Sequence, residues 1–240
     1  MVGKSQIKLI RSLHQKKYRN QNGLFIVEGI KAVKEVLESS IIPYRIFSTV
    51  PDVFENTDAD FITIPEADLR QMSTLKNPNT VLAVFHVPEV RKIDYSDWIV
   101  ILDDVRDPGN LGTIIRLCDW FGIPNIVCSH HTVDCYNPKV LQATMGSICR
   151  VNIVYEDILA FLEGCPLPIF GAFMDGTSVY SQELPTAGIL VMGNEANGIS
   201  SEIESKISQR ISIPQFGEKT AESLNVATAT AILLNEVRRD

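Results

Sequence analysis

From Trp98 onward, short apolar segments alternate with segments that carry apolar residues at helical spacing, and this alternation constrains the fold more than any other feature. The apolar segments have the length of strands, as at 189–192 and 211–213. Strands that are almost wholly apolar are typical of parallel sheets whose two faces are both covered by helices. The sequence therefore predicts an α/β domain with a parallel sheet over residues 98–240.

A smaller α/β unit is predicted before this domain. Its helical patterns lie at 5–18, 30–39 and after Pro65, its strand patterns lie at 23–29, 44–48 and 60–64, and 77–87 is a turn followed by a further strand. The segment that follows is polar and has no periodicity. We therefore expect two domains, residues 1–88 and 98–240, joined by a linker at 89–97.

The composition indicates a globular protein that keeps its thiols reduced. Hydrophobic residues make up 45% of the chain and charged residues 21%. No apolar run approaches the roughly 18 residues that span a bilayer, and the amino terminus lacks a secretory-type apolar segment. The five cysteines form no C-x-x-C pair, which disfavours a zinc site or a disulfide framework. We expect a cytoplasmic protein without a membrane span or a bound metal.

The charge is distributed unevenly. A net charge of −7 disfavours a nucleic-acid partner, yet residues 1–19 contain no acid. Six cations lie in this segment: Lys4, Lys8, Arg11, Lys16, Lys17 and Arg19. A basic end on an acidic chain is expected of an arm that binds phosphates. A solvated amphipathic helix explains the same pattern, so both interpretations stay open.

The stretch LDDVRDPGNLGTIIR, residues 102–116, joins a strand to a helix, and we expect Asn110 to cap that helix. It contains neither the G-x-G-x-x-G fingerprint nor a Walker loop, which disfavours a dehydrogenase or a nucleotide-triphosphate enzyme. Arg116 is unusual because a cation near a helix amino terminus opposes the helix dipole. It needs an anionic partner, which is either an internal aspartate (Asp103, Asp104 or Asp107) or a ligand phosphate. Position alone slightly favours the internal aspartate.

Two further polar stretches follow strands near the carboxyl terminus: MGNEANGIS at 192–200 and IPQFGEKTAESLN at 213–225. Ligands of parallel sheets bind at loops of this kind, because helix amino termini and free backbone N–H groups converge there. We expect Ser223 to start the last helix, with Asn225 in its first turn. Together the two loops predict one pocket with two walls.

In this order and spacing the three stretches resemble the SPOUT superfamily, and more closely its SpoU branch of 2′-O-ribose methyltransferases of tRNA and rRNA. The first motif matches Asn110, Gly112 and Arg116, the second matches Gly193, Asn194, Glu195 and Gly198, and the third matches Ile213, Pro214, Ser223, Leu224, Asn225 and Val226. The resemblance spans residues 98–239. Residues 5–88 are similar to the ribosomal-protein-like α/β domain that often binds substrate in these enzymes.

The resemblance implies a deep trefoil knot, a homodimer with its active site at the interface, and a pocket for S-adenosylmethionine. The residues expected to hold that cofactor are Met192, Gly193, Asn194, Gly198, Ile213, Pro214 and Leu224. The chain departs from the family pattern at Gln215, where methionine is common, and in a longer loop at 216–222. These departures concern the rim of the pocket.

The catalytic residues implied by the resemblance are Arg116, Asn110, Glu195, Ser223 and Asn225. We expect Arg116 to grip a phosphate and the ribose hydroxyl while the others position it and the substrate. The predicted function is 2′-O-methylation of rRNA, or alternatively of tRNA. A catalytically inactive RNA-binding protein of ribosome assembly is the competing hypothesis, and the intact motif residues disfavour it.

Overall fold

The computed structural model describes residues 2–51, 53–54, 60–217 and 223–239. These residues form two compact units that are not continuous in sequence. The small unit contains the residues up to Glu89 together with Asp134–Cys149, and the large unit contains Val90–Val133 and the residues from Arg150. The predicted division into 1–88, 89–97 and 98–240 stays a prediction. Segment 134–149, which that prediction assigns to the second domain, lies in the small unit.

The strands among the described residues are, in chain order, β1 Leu24–Glu28, β2 Pro43–Ser48, β3 Phe61–Thr63, β4 Val81–His86, β5 Ile99–Leu102, β6 Asn125–Cys128, β7 Asn152–Tyr155, β8 Ile169–Ser178, β9 Ile189–Met192 and β10 Gln209–Ser212. The α-helices are α1 Lys4–Ser12, α2 Lys16–Asn22, α3 Ile30–Leu37, α4 Glu66–Met72, α5 Pro108–Trp120, α6 Pro138–Thr144, α7 Ile158–Glu163, α8 Ser201–Glu204 and α9 Val226–Val237. None of these helices is both long enough and apolar enough to cross a bilayer.

The small unit is built on a four-stranded sheet in the order β1-β4-β2-β3. Strand β4 pairs antiparallel with both β1 and β2, and β2 pairs parallel with β3. Leu13, Phe47, Met72 and Leu82 are fully buried in its core. Segment 134–149 joins this unit through α6 and through Tyr136, whose ring centroid lies 4.7 Å from that of Phe25.

The large unit contains a six-stranded sheet in the order β10-β8-β9-β5-β6-β7, and every pair of neighbours is parallel. The central strands β5 and β9 are buried along their whole length, because helices cover both faces of such a sheet. The predicted parallel α/β fold is thereby confirmed. All six strands end at the same edge, where the three polar stretches begin.

Several element boundaries differ from the sequence prediction, and β10, predicted at 211–213, spans Gln209–Ser212. The first helix does not run from 5 to 18: α1 ends at Ser12, and α2 continues through Asn20 to Asn22 before Gly23 reverses the chain at φ 61°. The apolar run PIFGAF predicts a strand at 168–173, but β8 extends to Ser178. The last helix begins at Val226 rather than at Ser223, because Asn225 is its amino-terminal cap.

Candidate active site

The loops that follow β9 and β10 enclose a single cavity of about 780 Å³ in the large unit. Its lining includes every residue predicted to hold the methyl donor: Met192, Gly193, Asn194, Gly198, Ile213, Pro214 and Leu224. Val226, Ala229 and Leu233 of α9 add an apolar floor. The two predicted walls therefore face one space, although their role in binding stays a prediction. Residues 218–222 of the longer loop lie outside the described residues.

Loop 193–200 is held in shape by its own hydrogen bonds. Asn194 and Gly198 exchange backbone N–H···O=C bonds, both of 2.9 Å. The side-chain oxygen of Asn194 accepts from the N–H groups of Ala196 and Asn197 at 2.9 and 3.0 Å. A Cβ on Gly193 would lie 2.2 Å from the carbonyl carbon of Gly198. Glycine is therefore required at 193, where the backbone on either side of this turn comes into contact.

The end of β5 fastens the same loop to the sheet. The carboxylate of Asp103 is buried and accepts a 2.7 Å hydrogen bond from the N–H of Ser200. The side-chain amide of Asn194 donates to the carbonyl of Asp104 at 2.7 Å. Asp104 has a positive φ of 59°, a strained conformation for a residue other than glycine. The strained residue is thus the one whose carbonyl accepts the hydrogen bond from Asn194.

Three predicted catalytic residues form one hydrogen-bonded chain. The side-chain amide of Asn110 donates to Glu195 at 2.8 Å, and its oxygen accepts from the amide of Asn225 at 2.8 Å. Asn225 also caps α9, because its oxygen accepts from the N–H groups of Ala227 and Thr228. The chain connects the start of α5, loop 193–200 and the start of α9. Glu195, which lines the cavity, is thereby linked to α5 and α9.

Two capping predictions are wrong. Asn110 does not cap α5: the cap is Asp107, whose carboxylate accepts from the N–H of Asn110 at 2.8 Å. Ser223 lies at the cavity wall but does not cap α9, since Asn225 does so. In both cases the cap is a neighbouring Asp or Asn, and these residues are among the strongest capping types. The side-chain oxygen of Asn110 is therefore free to accept from the amide of Asn225.

Arg116 lies exposed in the third turn of α5 and does not line the cavity. The predicted internal ion pair is wrong, since Asp104 pairs with Arg106 while Asp103 and Asp107 accept backbone N–H groups. That pairing raises the pKa of Arg106, chiefly through the hydrogen bond with Asp104. Within the part of the chain that the structure describes, no carboxylate or other acceptor engages the Arg116 guanidinium.

A third wall of the cavity escaped the sequence prediction. Ala172, Phe173 and Met174 of β8 line it. Ala172 and Phe173 end the apolar run 168–173, and Met174 follows it directly, so this segment carries no polar loop motif. The one available signal was Gly176, because a glycine inside a strand pattern marks an irregularity or a close backbone approach.

The cavity suits a ligand with both apolar and polar parts. Its volume falls within the roughly 300–1,000 Å³ of small-molecule sites, and its lining combines Leu233 and Val226 with the polar groups of loop 193–200. The polar lining residues are Asn194, Glu195, Asn197, Ser212, Gln215 and Ser223, together with the backbone at Gly193 and Gly198. The residues present therefore fit S-adenosylmethionine. No group of three His, Cys, Asp or Glu side chains suited to a metal ion occurs among the described residues.

The predicted basic arm is divided by the structure. Lys4, Lys8, Arg11, Lys16 and Lys17 are exposed on α1 and α2. Arg19 is only 3% exposed, forms an ion pair with Asp134 and donates to the carbonyl of Leu13 at 2.9 Å. A buried guanidinium with these partners does not reach a phosphate on RNA. The prediction for Arg19 is corrected: it holds segment 134–149 within the small unit.

Fold and site together define a parallel α/β domain whose ligand cavity is framed by motif loops at the carboxyl ends of its strands. The chain belongs to the SpoU rRNA methylase family, whose model matches residues 97–235. Residues 4–83 match the MRM3-like substrate binding domain. The resemblance stated from the three motifs is thereby confirmed.

Full-length relatives share both parts. The chain is 30% identical over 242 residues to the Bacillus subtilis 23S rRNA (guanosine(2553)-2′-O)-methyltransferase RlmP, covering 97% of this chain and 96% of the relative. A Porphyromonas gingivalis structure assigned to the TrmH family is 40% identical with a TM-score of 0.90, covering 99% and 98% of the two chains. The AdoMet-bound rRNA methyltransferase of Sinorhizobium meliloti is 29% identical with a TM-score of 0.87, covering 99% and 96%.

Proposed function

We propose that this chain methylates a ribose 2′-hydroxyl of rRNA with S-adenosylmethionine as the methyl donor. One observation carries the proposal: the second and third family motifs line one cavity, and Asn110 of the first motif links the lining residue Glu195 to Asn225. The full-length relative that methylates 23S rRNA supports rRNA over tRNA. The relative with bound AdoMet supports the cofactor.

The chain's own residues contribute mainly alignment. S-adenosylmethionine supplies an activated methyl group on a sulfonium. Holding two reactants in line can be equivalent to an effective concentration of roughly 10⁵ M or more. Asn110, Glu195, Ser223 and Asn225 orient the ribose, and the loops beside them exclude water. The hydrogen bonds that connect Asn110 to Glu195 and Asn225 leave each of these three side chains little rotational freedom.

Arg116 binds the RNA in this proposal. A guanidinium stays protonated in proteins, so it does not act as the base that accepts the hydroxyl proton. Its planar fork matches a phosphate, and it has no competing carboxylate among the described residues. Arg116 therefore grips a backbone phosphate and donates to the hydroxyl it presents.

The small unit carries the second RNA contact. Lys4, Lys8, Arg11, Lys16 and Lys17 are exposed residues, and in this proposal they neutralise RNA phosphates and release counterions. The match of residues 4–83 to a substrate binding domain supports this role. RNA affinity then falls with salt, and replacing each of these cations reduces the salt dependence.

Four further expectations belong to the same proposal. They are the domain division into 1–88, 89–97 and 98–240, the trefoil knot, the homodimer and the cytoplasmic location. The family match over 97–235 supports the knot and the dimer, and the similarity to a Bacillus subtilis enzyme over 97% of this chain supports the location. Multi-angle light scattering of the purified chain tests the dimer directly.

The test of the function is transfer of a labelled methyl group. The purified chain is incubated with labelled S-adenosylmethionine and unmodified rRNA or tRNA, and 2′-O-methyl positions are mapped at nucleotide resolution. We expect label at one rRNA position, none on tRNA, and no binding of NAD. RNA binding without transfer would instead favour the inactive ribosome-assembly protein, and label on a base would refute ribose methylation.

A further inference from the structure

The pairing of β8 with β10 is interrupted beside the cavity. Gly171 pairs with Arg210, but the next residue of β10, Ile211, pairs with Thr177. Residues 172–176 of β8 therefore leave the ladder and return to it, and we name them the 172–176 excursion. An irregularity of this kind redirects side chains and is common beside ligand sites.

The excursion forms a cavity wall, and its return is tightly constrained. Ala172, Phe173 and Met174 line the cavity. A Cβ on Gly176 would lie 2.6 Å from the backbone carbon of Ile211 and 2.8 Å from that of Arg210. Since both contacts are with backbone, neither atom yields easily. Glycine at 176 lets the excursion rejoin β10.

Arg210 connects the excursion to its surroundings by three contacts. The guanidinium carbon lies 3.6 Å from the centroid of the Phe173 ring. The same group forms ion pairs with Asp175, inside the excursion, and with Glu204 of α8. The hydrogen bond from Arg210 holds the pKa of Asp175 below its ordinary value. One side chain thus supports the ring on the cavity wall and fixes the adjoining backbone.

We propose that Arg210 is a positioning residue for the methyl donor: by stacking on Phe173 and pairing with Asp175 and Glu204, it holds the 172–176 excursion as a preformed wall. The inference rests on the proposed function and deepens it, since it identifies a determinant of donor affinity outside the three motifs. Ordering a loop upon binding costs affinity. A wall ordered beforehand removes that cost, so Arg210 acts on binding of the donor rather than on the transfer step.

The test measures binding and kinetics separately on the full chain. Calorimetric titration measures the affinity for S-adenosylhomocysteine, which is the donor without its methyl group. The variants are Arg210→Ala, Arg210→Lys, Phe173→Ala and the double variant that combines Arg210→Ala with Phe173→Ala. We expect Arg210→Ala to bind about fivefold more weakly, in line with a partly exposed cation–π contact and lost preordering. Arg210→Lys recovers part of the affinity, since it keeps the charge but not the planar stack.

The kinetic readout separates positioning from a general loss of structure. In Arg210→Ala the KM for S-adenosylmethionine rises about fivefold, while kcat at saturating donor and the KM for RNA stay at the wild-type values. The matched control is Lys206→Ala, which removes another exposed cation of a surface ion pair, that with Glu163, and leaves donor affinity unchanged. Asp175→Asn keeps the ring contact, so it provides a milder variant should Arg210→Ala fold poorly, with about twofold weaker binding expected.

The double variant decides whether Arg210 acts through Phe173. If it does, adding Arg210→Ala to Phe173→Ala weakens binding far less than it does in the wild type. Full additivity of the two effects overturns the inference, as does wild-type affinity in Arg210→Ala or in Asp175→Asn. Failure of the wild-type chain to bind S-adenosylhomocysteine refutes the proposed function itself, and the inference falls with it.

Discussion

Replacing Arg116 with alanine separates catalysis from stability more cleanly than any other change in the site. Arg116 is exposed and has no hydrogen-bond or ion-pair partner among the described residues. The substitution therefore removes no native contact, and alanine is at least as good a helix former as arginine. The expected change in the free energy of unfolding is within about 0.5 kcal/mol. The melting temperature should stay within about 2 °C of the wild type.

The effect on catalysis is expected to be much larger. If Arg116 grips a phosphate and orients the hydroxyl, its loss removes charge-assisted hydrogen bonds to the reacting nucleotide. We expect kcat/KM for RNA to fall about a hundredfold, equivalent to about 2.7 kcal/mol of transition-state stabilisation. The assay is the initial rate of labelled methyl transfer to rRNA at saturating donor. Affinity for S-adenosylhomocysteine should be unchanged, because Arg116 does not line the cavity.

Two controls complete this experiment. Arg116→Lys keeps the charge but not the planar fork, so we expect it to recover only a small part of the rate. Arg106→Ala removes an exposed arginine that already has a protein partner, Asp104, and should keep most of the activity. Near wild-type turnover by a folded Arg116→Ala protein would falsify the assigned role.

Three further predictions test other parts of the structure. Gly193→Ala should abolish S-adenosylhomocysteine binding, because its Cβ meets backbone across the loop, whereas Gly164→Ala has open space and should bind normally; equal calorimetric affinities would contradict this. Asn225→Ala removes the α9 cap and should lower the free energy of unfolding by about 1 kcal/mol, measured by thermal melting. Asn225→Asp keeps the cap but loses the N–H donor to Asn110, so its melting temperature should match the wild type while its rate of methyl transfer falls. Burial raises the pKa of Glu28 above 4.5, although the hydrogen bond from Ser73 opposes this shift. Because the folded state then binds the proton more tightly than the unfolded state, the melting temperature of the wild type should rise relative to that of Glu28→Gln as pH falls from about 7 towards about 5. A difference in melting temperature that does not change with pH would refute this.

Local patterns in the sequence anticipated the sheet and two walls of the cavity. Strand β9 is apolar throughout and buried throughout, and the glycine-rich loop that follows it reaches the cavity as expected. Such features are readable because an apolar strand and a polar loop each have a strong composition signal. The caps were misassigned by a few residues at Asn110 and Ser223, since Asp107 and Asn225 are equally good capping types and local sequence does not rank them.

Arg19 and Arg116 show where local patterns lose their power. Both are cations in helical segments, yet Arg19 is buried against Asp134, 115 residues away in sequence, and Arg116 stands in solvent. Their environments depend on which distant segment packs beside them. Charge and spacing within a helix do not indicate which distant segment will pack beside it.

The sequence by itself determined the parallel α/β architecture, the three motifs and thereby the family. Tertiary structure alone decided which polar side chains meet, as in the link from Glu195 through Asn110 to Asn225, and that residues 172–174, which carry no polar loop motif, line the cavity. The physical reason is the range of the forces involved. Burial and backbone propensity act residue by residue along the chain, whereas a hydrogen bond or a stacked guanidinium exists only after folding has brought its partners within a few ångströms.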